Sequence, residues 1–166
     1  QHVAHGTILE PVSGCGHRPL LGLDVHVLHP CATRQGLDAN DRSLVMSLCH
    51  QGVCFLFTGD VGMAVESHLV RHDRTRRTDV LKVAHHGSRN STGRSMVSLP
   101  ALRYGVISCR AGNTHGFPHT RTLRRLRDAG VNTLRLDGGG GVLMVVRNGE
   151  LAVLQGPGSR QAMPAP

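Results

Sequence analysis

The sequence contains no tryptophan, one tyrosine and three phenylalanines. A core built with so few aromatics must rest on Val, Leu and Met packing, and a surface without them has no platform on which bases could stack. Five cysteines are present, but none forms a CxxC pair and the count is odd. Most of Cys15, Cys31, Cys49, Cys54 and Cys109 therefore read as small core hydrophobes and not as a disulfide framework or a zinc knuckle, although Cys49 and Cys54 flank a hairpin turn and could face each other. No apolar run approaches the length of a transmembrane span. The residues from Gln1 to His5 do not read as a signal peptide and begin without a Met, as expected of a chain that starts partway through a longer one. Acidic residues are scarce, 11 against 19 basic, which leaves a formal charge of +8.

Arginine supplies nearly all of that charge and gathers in "VRHDRTRR" and "RTLRRLRDAG". Such a surface favours polyanions, because each neutralised phosphate releases counterions. Guanidinium groups without aromatics suit contacts to a nucleic-acid backbone, not base readout. The same arginines also read as a solvated helix face. At 166 residues the chain has the size of one domain.

Along the chain, residues 1–22 are Gly-, His- and Pro-rich and look irregular. "LDVHVLHP" alternates like a strand and stops at Pro30. Residues 31–42 read as loop. "SLVMSLCH" and "VCFLF" form a hairpin pattern around Gln51-Gly52. "VGMAVESHLVRH" follows with helical spacing of Val61, Val65 and Leu69, and Asp60 is placed to cap it. "TDVLKVA" is a near-continuous apolar run, the mark of a strand covered on both faces. A short helix around Met96–Leu99, a strand at "YGVISCR" and a helix at "TRTLRRLRDAG" come next, the last capped by Thr120 and ended by Gly130. Strands at "VNTLRL" and "GVLMVVRNGELAVL" lie on either side of a four-glycine turn, and residues 156–166 read as a disordered tail. Strands alternating with helices predict a layered α/β domain with a mixed sheet.

Asp60, His85, His86 and the loop from Asn113 to His119 all follow a strand directly, where α/β sheets collect their chemistry. Asp60 is a candidate metal ligand, with an ordinary helix cap as the competing reading. Adjacent histidines on extended backbone point opposite ways, so one of His85 and His86 is expected to ligate while the other contacts substrate. Lys82 and Ser88 flank them and could assist an anion. His115 and His119 are candidates for acid–base or phosphate contacts, His119 more so because a helix begins after it. Asn40, Asp41 and Ser43 in "NDRS" read first as residues that hold a turn by side-chain to backbone bonds, with Asn40 also able to orient a metal-bound water or the substrate. No HxHxDH cluster occurs in the sequence. Asp60 and one histidine give two ligands where a metal-dependent hydrolase needs about three per ion, so the residues alone describe an incomplete site.

The ordered motifs "NDRSLVMSL", "GVCFLFTGDV", "TDVLKVAHHGSRNST" and "YGVISCRAGNTHGFPHTRTLRRLRDAGVNTLRLDGGGGVLMV" resemble the later part of the metallo-β-lactamase-fold domain of ComEC-type competence proteins, which handle DNA internalisation. The match runs from about Leu23 to about Leu154. The resemblance implies an α/β fold: a partial αββα sandwich over residues 23–155, with a mixed sheet and flanking helices. It implies that Asp60 can bridge two metals, that His86 is the late metal ligand with His85 as catalytic helper, and that His119 acts beside them. Asn40, Ser43, Lys82, Ser88, Asn113 and His115 fall on the substrate side. The implied cofactor is a divalent metal (Zn²⁺ or Mn²⁺), incompletely coordinated here because the family's early His/Asp cluster has no counterpart in this sequence. The late loop departs too, with His115 and Phe117 exchanged relative to the family's order.

By the same resemblance the partners are DNA, single- or double-stranded, together with the parent's membrane channel and missing N-terminal half. An uncovered sheet face adds the possibility of self-association. The parent is expected to be a bacterial inner-membrane protein with this domain extracytoplasmic. The implied activity is metal-dependent phosphodiester hydrolysis of transforming DNA in the intact parent, weak or absent in this chain alone. Two other readings are a non-catalytic basic nucleic-acid-binding remnant and a small-substrate phosphodiesterase of the same fold.

Overall fold

The computed structural model describes residues 14–31, 36–75, 77–158 and 160–162. Ten strands, three α-helices and two short 3-10 turns follow one another among them. The strands β1 (Gly16–His17), β2 (Asp24–His29), β3 (Val45–His50), β4 (Val53–Phe57), β5 (Val80–Lys82), β6 (Tyr104–Ile107), β7 (Asn132–Arg135) and β10 (Arg160–Ala162) form one sheet in the order β1-β2-β3-β4-β5-β6-β7-β10. The pairs from β4 to β7 are parallel, and those at both ends are antiparallel. The mixed α/β sheet expected from the sequence is thus present.

Local chemistry explains most of it. Gln51 and Gly52 both take positive φ (48° and 82°), the turn whose twist matches a tight hairpin, and it sets Cys49 opposite Cys54. In β5, Val80 and Leu81 are both buried, as a central parallel strand requires. The helices α1 (Met63–Arg71), α2 (Arg94–Val97) and α3 (Thr120–Asp128) are the parallel crossovers. They press Val65, Leu69, Met96, Val97 and Leu126 onto Leu56, Leu81, Val83 and Ile107 of the sheet, which makes the main core.

The other face carries less cover. Strands β8 (Val142–Arg147) and β9 (Glu150–Gln155) form a separate two-stranded hairpin. Val142 and Met144 of β8 share a cavity of about 230 Å³ with Phe55, Phe57, Val80 and Val106. The tip of this hairpin touches the β3–β4 turn, where Gly149 N donates to Gln51 Oε1 at 3.2 Å.

Several expectations are corrected. The cysteines pair as Cys15–Cys31 and Cys49–Cys54, and Cys109 is free; the hairpin sets Cys49 opposite Cys54 as its turn allows, whereas the pairing of β1 with β2 brings Cys15 to Cys31. Gly16–His17 lie in a strand, not in irregular chain. Arg160–Ala162, expected in a disordered tail, pair with β7. Helix α1 is capped by Gly62 without a side-chain bond, so Asp60 is not its cap. Helix α3 is capped by His119, not Thr120, because the imidazole Nδ1 accepts from Arg121 N at 3.1 Å. Gly130 does end it, with φ of 70°. Residues 1–13 and 32–35 of the expected irregular and loop segments lie outside the described residues.

Candidate active site

The parallel register puts the carboxyl ends of β4, β5 and β6 side by side, and the three following loops meet there. Backbone bonds fasten them together. His85 N donates to Gly59 O at 3.0 Å, and Thr58 Oγ1 donates to Lys82 O at 2.7 Å. The result is an open cavity of about 490 Å³ lined by Asp60, His85, His86, Asn113, His115 and Phe117 together with Ser108, Cys109 and Arg110. The carboxylate and both imidazoles singled out in the sequence therefore share one cavity wall.

The histidines reach it by an unexpected route. His85 (φ 47°, ψ 47°) and His86 (φ 55°, ψ 20°) are both left-handed, and Gly87 follows at φ 85°. The expectation that they sit on extended backbone and diverge is wrong, since the left-handed turn points both into the same space. Positive φ is uncommon for residues with a Cβ and gathers at functional loops. The His86 ring donates through Nδ1 to Ser108 O at 2.5 Å. A carbonyl can only accept, so the neutral ring carries its proton on Nδ1 and keeps the Nε2 lone pair free.

Phe117 stacks on His86 (interplanar angle 22°) and on His115 (24°), and meets His85 edge-on with centroids 5.5 Å apart. Its loop is braced by Asn113, whose amide donates to Phe117 O at 2.6 Å and to Arg110 O at 2.8 Å while its oxygen accepts from Phe117 N at 2.9 Å. Asn113 lines the cavity, but its polar atoms hold the loop.

The other sequence candidates stand outside the lining. Ser43 supports Asp60 from behind, with its Oγ accepting from Asp60 N at 3.0 Å. Asn40 is exposed and opens a 3-10 turn, its carbonyl accepting from Ser43 N at 2.9 Å. Ser88 is buried, and its carbonyl accepts from Thr122 Oγ1 at 2.7 Å. His119 caps α3 and ties back to the histidine loop by donating from N to Gly87 O at 2.9 Å. Lys82 donates to Val83 O at 3.0 Å. Burial pushes its ammonium pKa down, against an upward pull from the Asp60 carboxylate.

Residues outside the expected cavity lining do much of the positioning, Asp41 among them in the turn-holding role read from the sequence. Asp41 Oδ1 accepts from Gly62 N at 2.7 Å and clamps the Asp60 loop. The buried Glu66 carboxylate accepts from Thr92 N (2.6 Å) and Gly93 N (2.8 Å), which fixes the far end of the histidine loop. Burial raises its pKa, opposed by those two backbone donors and by Arg125. Ser108, Cys109 and Arg110 were within reach of the rule that chemistry follows strand ends, since they directly follow β6. Burial pushes the Cys109 thiol up, and the Asp137 carboxylate adds to this.

As a metal centre the donor set is partial. Asp60 offers a carboxylate oxygen and His86, as the neutral ring, an Nε2 lone pair, both donor types suited to a divalent cation. Among the described residues, the group of three or more potential ligands that converge closely lies elsewhere, at His17, Asp24 and His26.

No family model matches the chain. It is 29% identical over 143 residues to ComE operon protein 3 of Bacillus subtilis (strain 168), a match that covers 86% of this chain and 18% of that protein. It is 30% identical over 117 residues to Competence protein ComA of Neisseria gonorrhoeae, covering 70% of this chain and 17% of the relative. The chain spans less than a fifth of either protein's length. Both similarities support a competence protein, and each alignment covers one segment of the relative.

Proposed function

We propose that this chain is part of a competence-related DNA-internalisation protein, and that Asp60 and His86 are its share of a metal centre for phosphodiester hydrolysis. The observation that carries the reading is the common cavity of Asp60, His85 and His86, with the bond from His86 Nδ1 to Ser108 O leaving Nε2 as the lone-pair nitrogen of the neutral ring. The similarity to two competence proteins supports the substrate class. A bound divalent cation would supply Lewis acidity, acidifying water and neutralising charge at phosphorus.

The chain's own residues then divide the remaining work. His85 lines the same cavity with its ring centroid 6.4 Å from that of His86, and in this reading it would move a proton at the reacting oxygens. Arg110 and His115 line the opening and would meet a phosphate. In this reading the fold is the later half of a metallo-β-lactamase-like sandwich. A further part of the parent would supply the remaining ligands and cover the Phe55/Phe57 face. The disulfides Cys15–Cys31 and Cys49–Cys54 suit an oxidising, extracytoplasmic setting. Among the described residues no helix is long and apolar enough to cross a membrane.

A second reading has its own support. Arg89, Arg94, Arg121, Arg124 and Arg125 line one groove on the helix face, with Asp128 as its acidic member. This surface would hold a nucleic-acid backbone without catalysis. The two readings separate in one experiment: fluorescein-labelled single- and double-stranded DNA is incubated with the chain and Mn²⁺ or Zn²⁺, and both retention and cleavage are followed with and without EDTA. The metal-centre reading expects weak or undetectable cleavage by this chain, and Mn²⁺ binding in calorimetry that is diminished by Asp60→Ala and by His86→Ala. Robust cleavage abolished by Asp60→Ala would show that the site is complete as it stands. Metal binding unchanged by both substitutions, with chelator-indifferent DNA retention, leaves only the second reading.

A further inference from the structure

We propose that His17, Asp24 and His26 form a second metal site, selective for Zn²⁺ and similar borderline cations, that clasps the outer hairpin of the sheet. Strand geometry assembles it. His17 in β1 is the direct cross-strand partner of His26 in β2. Asp24 lies two residues before His26, and the strand's period of two puts both on one face. The three donor groups therefore converge by register, from residues up to nine positions apart in sequence.

The side chains already point at one another. Asp24 Oδ1 lies 2.7 Å from His17 Nε2 and 2.9 Å from His26 Nε2, and the two rings stack with centroids 4.7 Å apart. One ligand atom from each lies within 4.8 Å of the others. Small rotations within that span bring all three onto an ion with bonds of about 2.0–2.2 Å. In the metal-free arrangement each ring directs an Nε2 proton at the same carboxylate oxygen. A cation on that axis takes the place of those protons, each neutral ring moving its proton to Nδ1 and presenting Nε2 as a lone pair. Two imidazoles and one carboxylate suit Zn²⁺, Co²⁺ or Ni²⁺, whereas Mg²⁺ and Ca²⁺ prefer all-oxygen sites.

The frame is preorganised on both sides. The Cys15–Cys31 disulfide joins the residue before β1 to the chain just past β2, and Arg18 N donates to Val25 O at 2.7 Å. His26 has only 13% of its side chain exposed, so one ligand is held while His17 and Asp24 keep the ion reachable from solvent. The site is separate from the cavity around Asp60. Asp24 pairs with Cys49, which pairs with Cys54 near the start of β4, whereas Asp60 follows the end of that strand. The metal would fasten the β1–β2 edge, the outermost part of the sheet, and leave an open coordination position for water.

Co²⁺ titration of the 166-residue chain, followed by visible absorption and reversed by Zn²⁺, tests this. Wild type and the Asp60→Ala/His86→Ala double variant are expected to show the same Co²⁺ band. His17→Ala, which changes an exposed side chain, is expected to weaken that band's apparent affinity by at least about tenfold, and Asp24→Asn likewise. Zn²⁺ is expected to raise the melting temperature of wild type but not of His17→Ala. Unchanged Co²⁺ affinity in His17→Ala, absence of a band in wild type, or a band lost only in the Asp60→Ala/His86→Ala variant overturns the proposal. The last outcome would leave the Asp60 centre intact, so the two sites stand or fall separately.

Discussion

Replacing Gly87 by alanine probes the hinge on which the candidate site turns. Gly87 follows two left-handed histidines and is itself at φ 85°. A left-handed residue with a Cβ costs about 1–2 kcal/mol. The new methyl would also lie 2.7 Å from Pro118 Cβ and 3.1 Å from Pro118 Cα, the second a backbone atom. Pro118 cannot easily retreat. It is buried, and its neighbour His119 is bonded through N to Gly87 O at 2.9 Å. Overpacking of this kind costs about 1–3 kcal/mol. The sum is about 2–5 kcal/mol, a large part of the roughly 5–15 kcal/mol that holds a domain together.

Gly112→Ala is the matched control. Its φ is 63°, and nothing lies within 4 Å of the added Cβ, so only the backbone cost of about 1–2 kcal/mol applies. Urea unfolding followed by far-UV circular dichroism gives both values, provided the slopes agree. The difference between the two variants isolates the clash with Pro118. The His86 ring signals should also shift in Gly87→Ala and stay in place in Gly112→Ala. A Gly87→Ala loss below about 0.5 kcal/mol, or one equal to that of Gly112→Ala, would mean that the histidine loop is not packed against Pro118 and that the cavity geometry is wrong.

Two further outcomes are expected. Asp79 is fully buried and accepts from Cys54 N at 3.0 Å, with Arg77 and Arg103 beside it. Burial raises its pKa, but the Arg77 bond, the Cys54 N–H and the two guanidinium charges outweigh this and hold it below 3.8 overall. A depressed carboxyl adds stability that is fully present above its unfolded pKa and is lost as pH falls through the folded one. Asp79→Ala should therefore cost about 1–3 kcal/mol near neutrality, chiefly by orphaning Cys54 N–H since the arginines are solvent-screened, and its acid unfolding below pH 3.8 should flatten relative to wild type in a pH series of urea melts. On the helix face, Arg121→Glu and Arg124→Glu should each weaken duplex DNA retention and lower the steepness of its salt dependence by about one per lost phosphate contact. An unchanged slope in fluorescence anisotropy would exclude the arginine groove as the DNA surface.

Much of the fold is written in short-range chemistry. Gln51-Gly52 can serve as a tight turn in this setting, the run around Val80 and Leu81 has no polar face to expose, and Val65 and Leu69 form one helical stripe to bury, with Val61 buried just ahead of the helix. Neighbours along the chain decide such features, so the amino-acid order alone reveals them. Asp60 and the histidine pair were also legible as candidates, because each stands where an apolar strand stops.

Tertiary structure decided what those residues do. Asp60 is free of a capping role only because Gly62 starts α1 and Asp41, from a distant loop, holds the turn. His85 and His86 face one cavity only because Gly87 packs on Pro118 and Ser108 fixes the ring of His86. The pairing of β10 with β7, the Cys15–Cys31 disulfide and the convergence of His17, Asp24 and His26 depend on strand register across the sheet. Local sequence sets which residues turn, coil or extend. Which side chains then meet is fixed by the burial of a whole sheet face, a sum over distant residues that no short stretch of chain contains.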